Sequence, residues 1–334
     1  MPATVQLNPS TRSSLRALIV IAAIIVLLIP VGITVAHGAS RLNYGKLEVT
    51  EPLPASLTDL QISLDSGADI EVKTAGTDAP SVRFTGTGPR GQAPGLDVRE
   101  AGSSAVVSVD DLDRVESPRI EVVVPATTSQ ELKLDLNGGF GSIDIAGDYR
   151  EIASRSEGGD IEINGSADKV RTSTNWGSTD LYGTFGTLEA RTEAGSIDGS
   201  DLGVRDRVDA TTATGEITLD FSNEMAPLAG IVAKAGNGDI SLHLPRLDAA
   251  RASMAAEAAS GQGAGNDAGA PPAPAKDLSR ELLYRISADS TQGEVSLVKD
   301  LEKYDASKGT KSEGSGVIPV SVTTETGDIN IDQN

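Results

Sequence analysis

The stretch that decides the fold runs from residue 141 to residue 181 and reads GSIDIAGDYREIASRSEGGDIEINGSADKVRTSTNWGSTDL. It contains three copies of one phrase, a glycine followed by alternating polar and mainly aliphatic residues, which begin at Gly141, Gly159 and Gly177. The same phrase begins again at Gly195, Gly215, Gly238, Gly293 and Gly327. The first spacings are 18, 18, 18, 20 and 23 residues. Self-similarity at a nearly fixed period is typical of a repeat architecture.

A second alternating segment precedes each glycine. Seven residues before it, the residue is aliphatic in every copy: Leu134, Ile152, Val170, Leu188, Val208, Ile231, Ile286 and Val320. Two residues after it stand Ile143, Ile161, Thr179, Ile197, Ile217, Ile240, Val295 and Ile329. An apolar residue at every second position predicts a strand with one buried face. Each copy therefore predicts two short strands joined at a glycine.

These paired strands predict an all-β fold, a parallel β-solenoid or β-helix-like coil with one rung every ~18 residues. One rung cannot bury its apolar face alone, so neighbouring rungs must stack and their aliphatic residues must form interior columns. We expect a glycine at each corner because the backbone there needs a positive φ or a close approach between rungs. Small residues five positions before the glycine suit a narrow core in a chain with four Phe, five Tyr and one Trp.

The regular coil is predicted over residues 131–334, with two interruptions. Residues 246–280 are rich in Ala, Gly and Pro and predict a disordered insertion, and residues 303–316 predict a polar loop. Residues 45–130 carry looser strand patterns between turn residues, so we expect degenerate first rungs and an N-terminal cap there. The last strand, at 327–331, is expected to end the coil without a cap.

The composition excludes several kinds of function. The 334 residues include no Cys and two His, which excludes disulfides, thiolate metal sites and thiol nucleophiles and leaves little scope for His-dependent chemistry. The chain carries 48 Asp and Glu against 28 Lys and Arg, a formal net charge of −20. Because this charge repels phosphate backbones, we expect no nucleic-acid partner.

Residues 17–36 form a long uncharged apolar segment and read ALIVIAAIIVLLIPVGITVA. Twenty such residues suffice to cross a bilayer as one transmembrane helix. Arg12 and Arg16 precede the segment, so the positive-inside rule predicts a cytoplasmic tail over 1–16 and an extracytoplasmic chain after a linker over 37–44. We interpret the segment as the retained signal anchor of a single-pass cell-membrane protein. A cleaved signal peptide is the alternative, because a proline and a glycine interrupt the apolar run.

The order of motifs after this segment is also informative. SGADIEV at 66–72 is followed by a charged strand pair around 96–109, by IEVVVP at 120–125 and then by the glycine-led rungs. This layout resembles the bacterial putative adhesin family over residues 45–334. The resemblance implies a β-solenoid domain of unknown function in an envelope protein, and it implies no catalytic, cofactor-binding or metal-binding residues.

The position three residues after the glycine is predicted to face outward. It carries acids in four consecutive copies, Asp144, Glu162, Asp180 and Asp198. Carboxylates one strand apart, about 4.8 Å, repel each other unless water or cations separate them. We interpret this ladder as a solvated acidic face, and a weak calcium-binding ladder is the alternative.

Other candidate residues favour structural roles. Trp176, Tyr182, Tyr149 and Phe185 form the best aromatic cluster, which suits corner packing better than sugar stacking. His243 follows the inward Leu242 and is expected to point outward, without a triad or zinc site.

We therefore predict a protein that is not an enzyme and needs no cofactor. It would be a membrane-anchored, extracytoplasmic adhesion, scaffold or interaction module of the bacterial cell envelope. The expected partners are the membrane, through the N-terminal helix, and an envelope protein or cell-wall polymer. Two alternatives stay open, namely envelope-stress sensing or regulation of a membrane signalling protein, and a carbohydrate-active enzyme.

Overall fold

The computed structural model describes residues 44–64, 66–90, 95–252, 255, 282–308 and 316–334. The predicted cytoplasmic tail, the predicted membrane segment and all but the last residue of the predicted linker lie outside the described residues. Among the described residues, none of the helices has the length and apolar character needed to span a bilayer.

The described chain is mostly β-strand. The N-terminal strands are β1 Tyr44–Pro52, β2 Asp59–Ser63, β3 Asp69–Ala75, β4 Ser81–Pro89, β5 Leu96–Ala101, β6 Ser104–Val109, β7 Glu116–Pro125 and β8 Lys133–Gly138. The long central strands are β9 Ile143–Gly158, β10 Ile161–Trp176, β11 Thr179–Ala194 and β12 Ile197–Thr214. The C-terminal strands are β13 Ile217–Phe221, β14 Gly230–Asn237, β15 Ile240–Leu244, β16 Leu283–Gln292, β17 Val295–Leu297, β18 Val317–Thr326 and β19 Ile329–Gln333. Short helical turns cover Ala126–Ser129, Leu112–Arg114, Glu302–Tyr304 and Ala306–Lys308.

The central strands show how a rung is built. β9, β10 and β11 pair in parallel, so that Ile143 lies beside Ile161 and Ile161 beside Thr179. β9, β10 and β11 form the first wall of the coil directly after their corner glycines, bend at a second glycine, and then form the second wall. β12 follows the same course with a bulge at Asp201, which has φ +52°. The aliphatic columns predicted for both walls are buried except at Val295, which is half-buried. The prediction of an all-β, parallel, solenoid-like coil is confirmed.

Most corner glycines meet both expected requirements, whereas Gly141 and Gly293 make the close approach without a positive φ. Gly177 has φ +141°, and a Cβ atom at this position would overlap the carbonyl oxygen of Gly159 in the neighbouring rung. The same overlap recurs from corner to corner along the stack. A side chain at the corner would therefore strain the backbone and push two rungs apart.

A further column, three residues before the corner glycine, carries Ser or Thr in most rungs. Its hydroxyls donate hydrogen bonds to glycine carbonyls of an adjacent rung: Ser156 to Gly139, Thr174 to Gly159, Thr192 to Gly177, Thr212 to Gly195, Ser290 to Gly327 and Thr324 to Gly238. The donor–acceptor distances lie between 2.8 and 3.2 Å. This column fastens each corner to the next.

The N-terminal rungs do not stack in chain order. The rung made by β2 and β3 lies between the rung of β8 and β9 on one side and that of β6 and β7 on the other. β4 pairs antiparallel with β7, β1 pairs antiparallel with β4, and β5 pairs antiparallel with β6. These antiparallel strands close the N-terminal end of the coil.

The C-terminal rung also lies out of order. β18 pairs with β14 on one side and β16 on the other, and β19 pairs with β15 and β17. The expectation that the strand at 327–331 ends the coil without a cap is therefore wrong, and β16 and β17 form the outermost rung. All rungs share one repeat pattern, so the pattern carries no information about their order in the stack. The long connections before β16 and before β18 allow the two rungs to exchange places.

The residues around the predicted interruptions are partly described. Residues 247–252 are helical, and Leu247 and Ala250 are buried, whereas most of the predicted insertion lies outside the described residues. After β17, Leu301 is fully buried and Tyr304 meets Tyr284 edge-on, with ring centroids 6.0 Å apart. The first part of the predicted polar loop is thus packed against the outermost rung.

Candidate interaction surface

The predicted acidic ladder exists and is longer than the sequence indicates. Asp144, Glu162, Asp180 and Asp198 stand side by side on successive strands of the first wall. Beyond Asp144 the row continues through Glu71 on β3 and Glu121 on β7. We call these six residues, Glu121, Glu71, Asp144, Glu162, Asp180 and Asp198, the acidic row.

Glu71 and Glu121 were not predicted to belong to the acidic row because the first rungs stack out of chain order. A signal is nevertheless present in the sequence. Both glutamates lie between aliphatic residues, as IEV at 70–72 and IEV at 120–122, and IDI at 143–145 and IEI at 161–163 have the same form. Matching triplets across the whole chain would have placed them together.

Cations neutralise one end of the acidic row. The Lys73 Nζ lies 2.9 Å from a Glu71 carboxylate oxygen and 2.5 Å from one of Glu121. Arg83 contacts Glu121 at 3.1 Å, and Arg119 contacts Glu71 at 3.2 Å. Among the described residues, the other four acids of the row form no ion pair at salt-bridge distance. The row therefore has a paired end and an unpaired end that attracts positive charge.

The pKa is lowered for Glu71 at the paired end of the acidic row and raised for three aspartates at its unpaired end. The hydrogen bond from Lys73 lowers the pKa of Glu71. Burial raises the pKa of Asp144, Asp180 and Asp198, and neighbouring carboxylates raise it further. For Asp144 the nearby Arg119 partly opposes the rise. A cation placed over the unpaired end would favour the charged form of these three aspartates.

The calcium alternative requires ligands that converge on one point. Within the described ranges, no group of three or more His, Asp or Glu side chains is arranged to hold a metal ion. A groove of about 340 Å³ does lie over the row at its paired end, where Lys73 and Arg119 line it together with Glu71, Asp144 and Glu162.

The predicted aromatic cluster divides between the interior and the surface. Tyr149 and Phe185 are 3% and 1% exposed and pack at the second corner, on either side of Ala167. Tyr182 is 38% exposed and follows Asp180 by two residues, so both face outward from the first wall. Trp176 is 59% exposed at the glycine corner. The structure thus places one aromatic side chain beside the acidic row.

Phe140 and Trp176 flank Gly158 at the glycine corner. Trp176 pairs with Gly158 in the strand register, and a Cβ atom at Gly158 would meet the ring of Phe140 at 2.7 Å. Phe140 is 61% exposed. Sequence reasoning did not single out this residue, although it precedes Gly141 as Trp176 precedes Gly177.

His243 lies half-exposed on the first wall, between Asp220 and Asp332 in the strand register. Its Nε2 atom is 3.4 Å from a carboxylate oxygen of Asp332. This contact joins β15 to the C-terminal rung.

Comparisons with known proteins identify a family match and several similar structures. The family model for Toastrack DUF4097 matches residues 45–267. A putative adhesin from Bacteroides fragilis is similar in structure at 13% identity, with 86% of this chain and 97% of that chain covered and a TM-score of 0.48. A putative adhesin from Parabacteroides distasonis is similar at 9% identity, with 86% of this chain and 97% of that chain covered and a TM-score of 0.39. A putative cell adhesion protein from Clostridium sporogenes is similar at 10% identity, with 87% of this chain and 100% of that chain covered and a TM-score of 0.25.

No curated protein matches the sequence. Because the identities and TM-scores of the solved structures are low, the assignment rests on the family match. That match spans more than half of the chain and confirms the resemblance predicted from the order of motifs. The chain belongs to the Toastrack DUF4097 family.

Proposed function

We propose that this protein is a non-catalytic interaction module of the bacterial cell envelope and that its partner docks over the unpaired end of the acidic row. The observation that supports the proposal is the row itself, with Asp144, Glu162, Asp180 and Asp198 on successive strands of one wall. A rigid parallel wall holds these charges at a fixed spacing, so a partner with regularly placed cationic groups would meet several of them together.

The anchor is part of the same proposal. Residues 17–36 would hold the coil at the outer side of the cell membrane, so that the acidic row faces envelope components. In untreated spheroplasts the full-length protein should be found in the membrane fraction. Protease added to intact spheroplasts should then digest the C-terminal coil. A cytoplasmic, protease-protected coil would contradict this part of the proposal.

The docking surface is tested by removing three charges. The full chain carrying Glu162→Gln, Asp180→Asn and Asp198→Asn should recover much less partner from solubilised native membranes and from purified wall polymer than the unmodified chain. A matched control carries Glu157→Gln, Glu193→Gln and Glu325→Gln, which removes three exposed charges from the second wall. The control should bind like the unmodified chain.

Each outcome of this comparison has a meaning. Equal binding by both variants, or equal loss in both, would contradict docking at the acidic row. A membrane protein as the recovered partner would favour the regulatory alternative, and wall polymer would favour adhesion. Release of sugars from the polymer by the purified chain would contradict a non-catalytic role.

A further inference from the structure

A cavity of about 320 Å³ lies at the second corner of the coil, where β9, β10 and β11 bend from the first wall into the second. All of its lining residues belong to the stretch 95–252, which is described without a break. Small-molecule sites usually have volumes of about 300 to 1,000 Å³. The cavity therefore has the size for a small ligand. We call it the second-corner cavity.

The floor of the second-corner cavity is a notch in a buried column. Ala167 lies between Tyr149 and Phe185 in the strand register, and its side chain is much smaller than theirs. All three residues line the cavity. The notch thus offers a small apolar surface, which suits a methyl group better than a large side chain.

Chain segments from outside β9, β10 and β11 close the cavity at both ends. At one end stands Gln130, which follows the helical turn Ala126–Ser129. At the other end stands Met225, in the loop between β13 and β14. The Leu228 N–H of this loop donates a hydrogen bond to the Arg205 carbonyl at 3.1 Å. This bond holds the loop against the strand that carries Arg205.

Opposite charges line the cavity without meeting each other. Asp168 and Arg205 are both exposed, and in the described part of the chain neither side chain forms an ion pair or a hydrogen bond. Gly186 separates them, since a Cβ atom there would meet the Asp168 carbonyl oxygen, and Phe185 before it pairs with Val204 before Arg205. The two charged residues are therefore two strands apart, or about 9.6 Å between their backbones.

Asp148 adds a second carboxylate to the side of the cavity that carries Asp168. Its Oδ1 atom accepts a hydrogen bond from the Ser166 hydroxyl at 2.6 Å, which orients the carboxylate. A ligand with only positive charge would leave Arg205 without a counterion, and a ligand with only negative charge would meet two carboxylates. A ligand with both charges satisfies both sides, because a guanidinium group binds a carboxylate through two parallel hydrogen bonds.

We propose that the second-corner cavity binds a short peptide with free termini and small side chains. Its ammonium group lies near Asp148 and Asp168, its terminal carboxylate pairs with Arg205, and a methyl side chain rests over Ala167. This inference does not depend on the acidic row, which lies on the outer face of the first wall.

The test uses the full chain and the dipeptide alanyl-alanine, in its L,L and D,D forms, in ligand-observed NMR titrations. At least one form should bind with a Kd near about 1 mM. The N-acetylated derivative of that form lacks the ammonium group, and the C-terminal amide lacks the carboxylate. Each derivative should bind about tenfold more weakly than the free dipeptide.

Two variants assign each terminus of the dipeptide to its residue. Asp168→Asn should weaken binding of the free dipeptide about tenfold and leave binding of the N-acetylated form within about twofold. Arg205→Gln should weaken binding of the free dipeptide about tenfold and leave binding of the amide within about twofold. A site that holds the ligand without contacting these charges would not give this crossed pattern.

Matched controls remove exposed charges of the same types outside the cavity. Asp135→Asn and Arg155→Gln should leave binding of the free dipeptide within about twofold of the unmodified chain. Equal losses in these controls, or unchanged binding in both Asp168→Asn and Arg205→Gln, would overturn the proposal. Equal affinity for the dipeptide and its two derivatives would overturn it too, as would a Kd above about 10 mM for both forms of the dipeptide.

Discussion

Two kinds of hydroxyl lie in the core of the coil, and they have opposite effects on stability. Thr174 donates a hydrogen bond to the Gly159 carbonyl at 3.2 Å. Thr179 is 0% exposed between Ile161 and Ile197, and its hydroxyl has no hydrogen-bond partner. A buried hydroxyl without a partner loses its bonds to water and gains none in return.

We therefore expect Thr179→Val to raise the free energy of unfolding by about 1 kcal/mol, because it removes an unsatisfied polar atom at nearly constant shape. Thr174→Val should lower it by about 1 kcal/mol, because the Gly159 carbonyl loses its donor. Urea unfolding of both variants measures the difference. A loss of stability in Thr179→Val would show that its hydroxyl has a partner.

The aspartates of the acidic row should make stability depend on pH. Burial raises the folded pKa of Asp180 above its unfolded value, so its favourable contribution is complete below the unfolded pKa and is lost as pH rises through the folded pKa. Asp180→Asn should therefore stabilise the protein near about pH 7 and have little effect near about pH 3, below the usual Asp range.

Glu71 supplies the contrast, because Lys73 lowers its pKa in the fold. Its contribution is present above the unfolded pKa and is lost as pH falls. Glu71→Gln should therefore destabilise the protein at neutral pH and lose that effect in acid. Urea unfolding at both pH values tests the pair, and changes of the same sign in both variants would contradict the assignment.

At the scale of the element, the glycine corner sets the distance between rungs. Gly177 combines a φ of +141° with a Cβ position that overlaps the Gly159 carbonyl. Gly177→Ala should lower the free energy of unfolding by about 3 kcal/mol or more. A methyl group at Gly76 would have free space, so Gly76→Ala should change stability by less than about 0.5 kcal/mol. Similar effects of the two changes in thermal or urea unfolding would argue against stacked corners.

The elements of the coil were largely predictable because their signals are local. Alternation placed Ile152 and Ile161 in the core, and the repeated glycines marked the corners. The second corner was not predicted, although Gly147, Gly165 and Gly183 also recur 18 residues apart and have positive φ. At these three glycines the strand continues through its bend, so the alternating pattern of buried residues marks this corner less clearly than it marks the first glycine corner.

At the scale of the whole molecule, stacking order was not predictable. Val320 and Ile286 occupy the same column and are both 1% exposed, so either rung satisfies the core next to Ile231. The out-of-order stacking at the N-terminus likewise hid Glu71 and Glu121 from the predicted acidic ladder. The repeat pattern specifies which side chains of a rung face its neighbours, whereas the connections between rungs determine which rungs become neighbours.

The C-terminal rung should act as a separable insert. Removing residues 317–334 would take away the inner neighbours of β16 and β17 and the hydrogen bonds from Asn334 to Leu244 and Asp220. Hydrogen exchange should then show loss of protection in β16, and a synthetic peptide of residues 317–334 should restore it. Failure of the peptide to restore protection would contradict the observed order, and full protection of β16 without the peptide would show that β16 can pair directly with β14.

The central claim is that β18 lies between β14 and β16, so that the C-terminal rungs stack out of chain order. Lys234 pairs with Thr323, and Thr323 pairs with Asp289. The chain has no native Cys, so an introduced pair has no competing thiol. Adjacent strands place Cα atoms about 4.8 Å apart, within disulfide range, whereas strands two apart are beyond it.

The decisive measurement is disulfide formation in two double variants under mild oxidation. Lys234→Cys with Thr323→Cys should form an intramolecular disulfide, and Lys234→Cys with Asp289→Cys should not. A disulfide in the second variant and none in the first would show that the rungs stack in chain order, and it would contradict the structure described above.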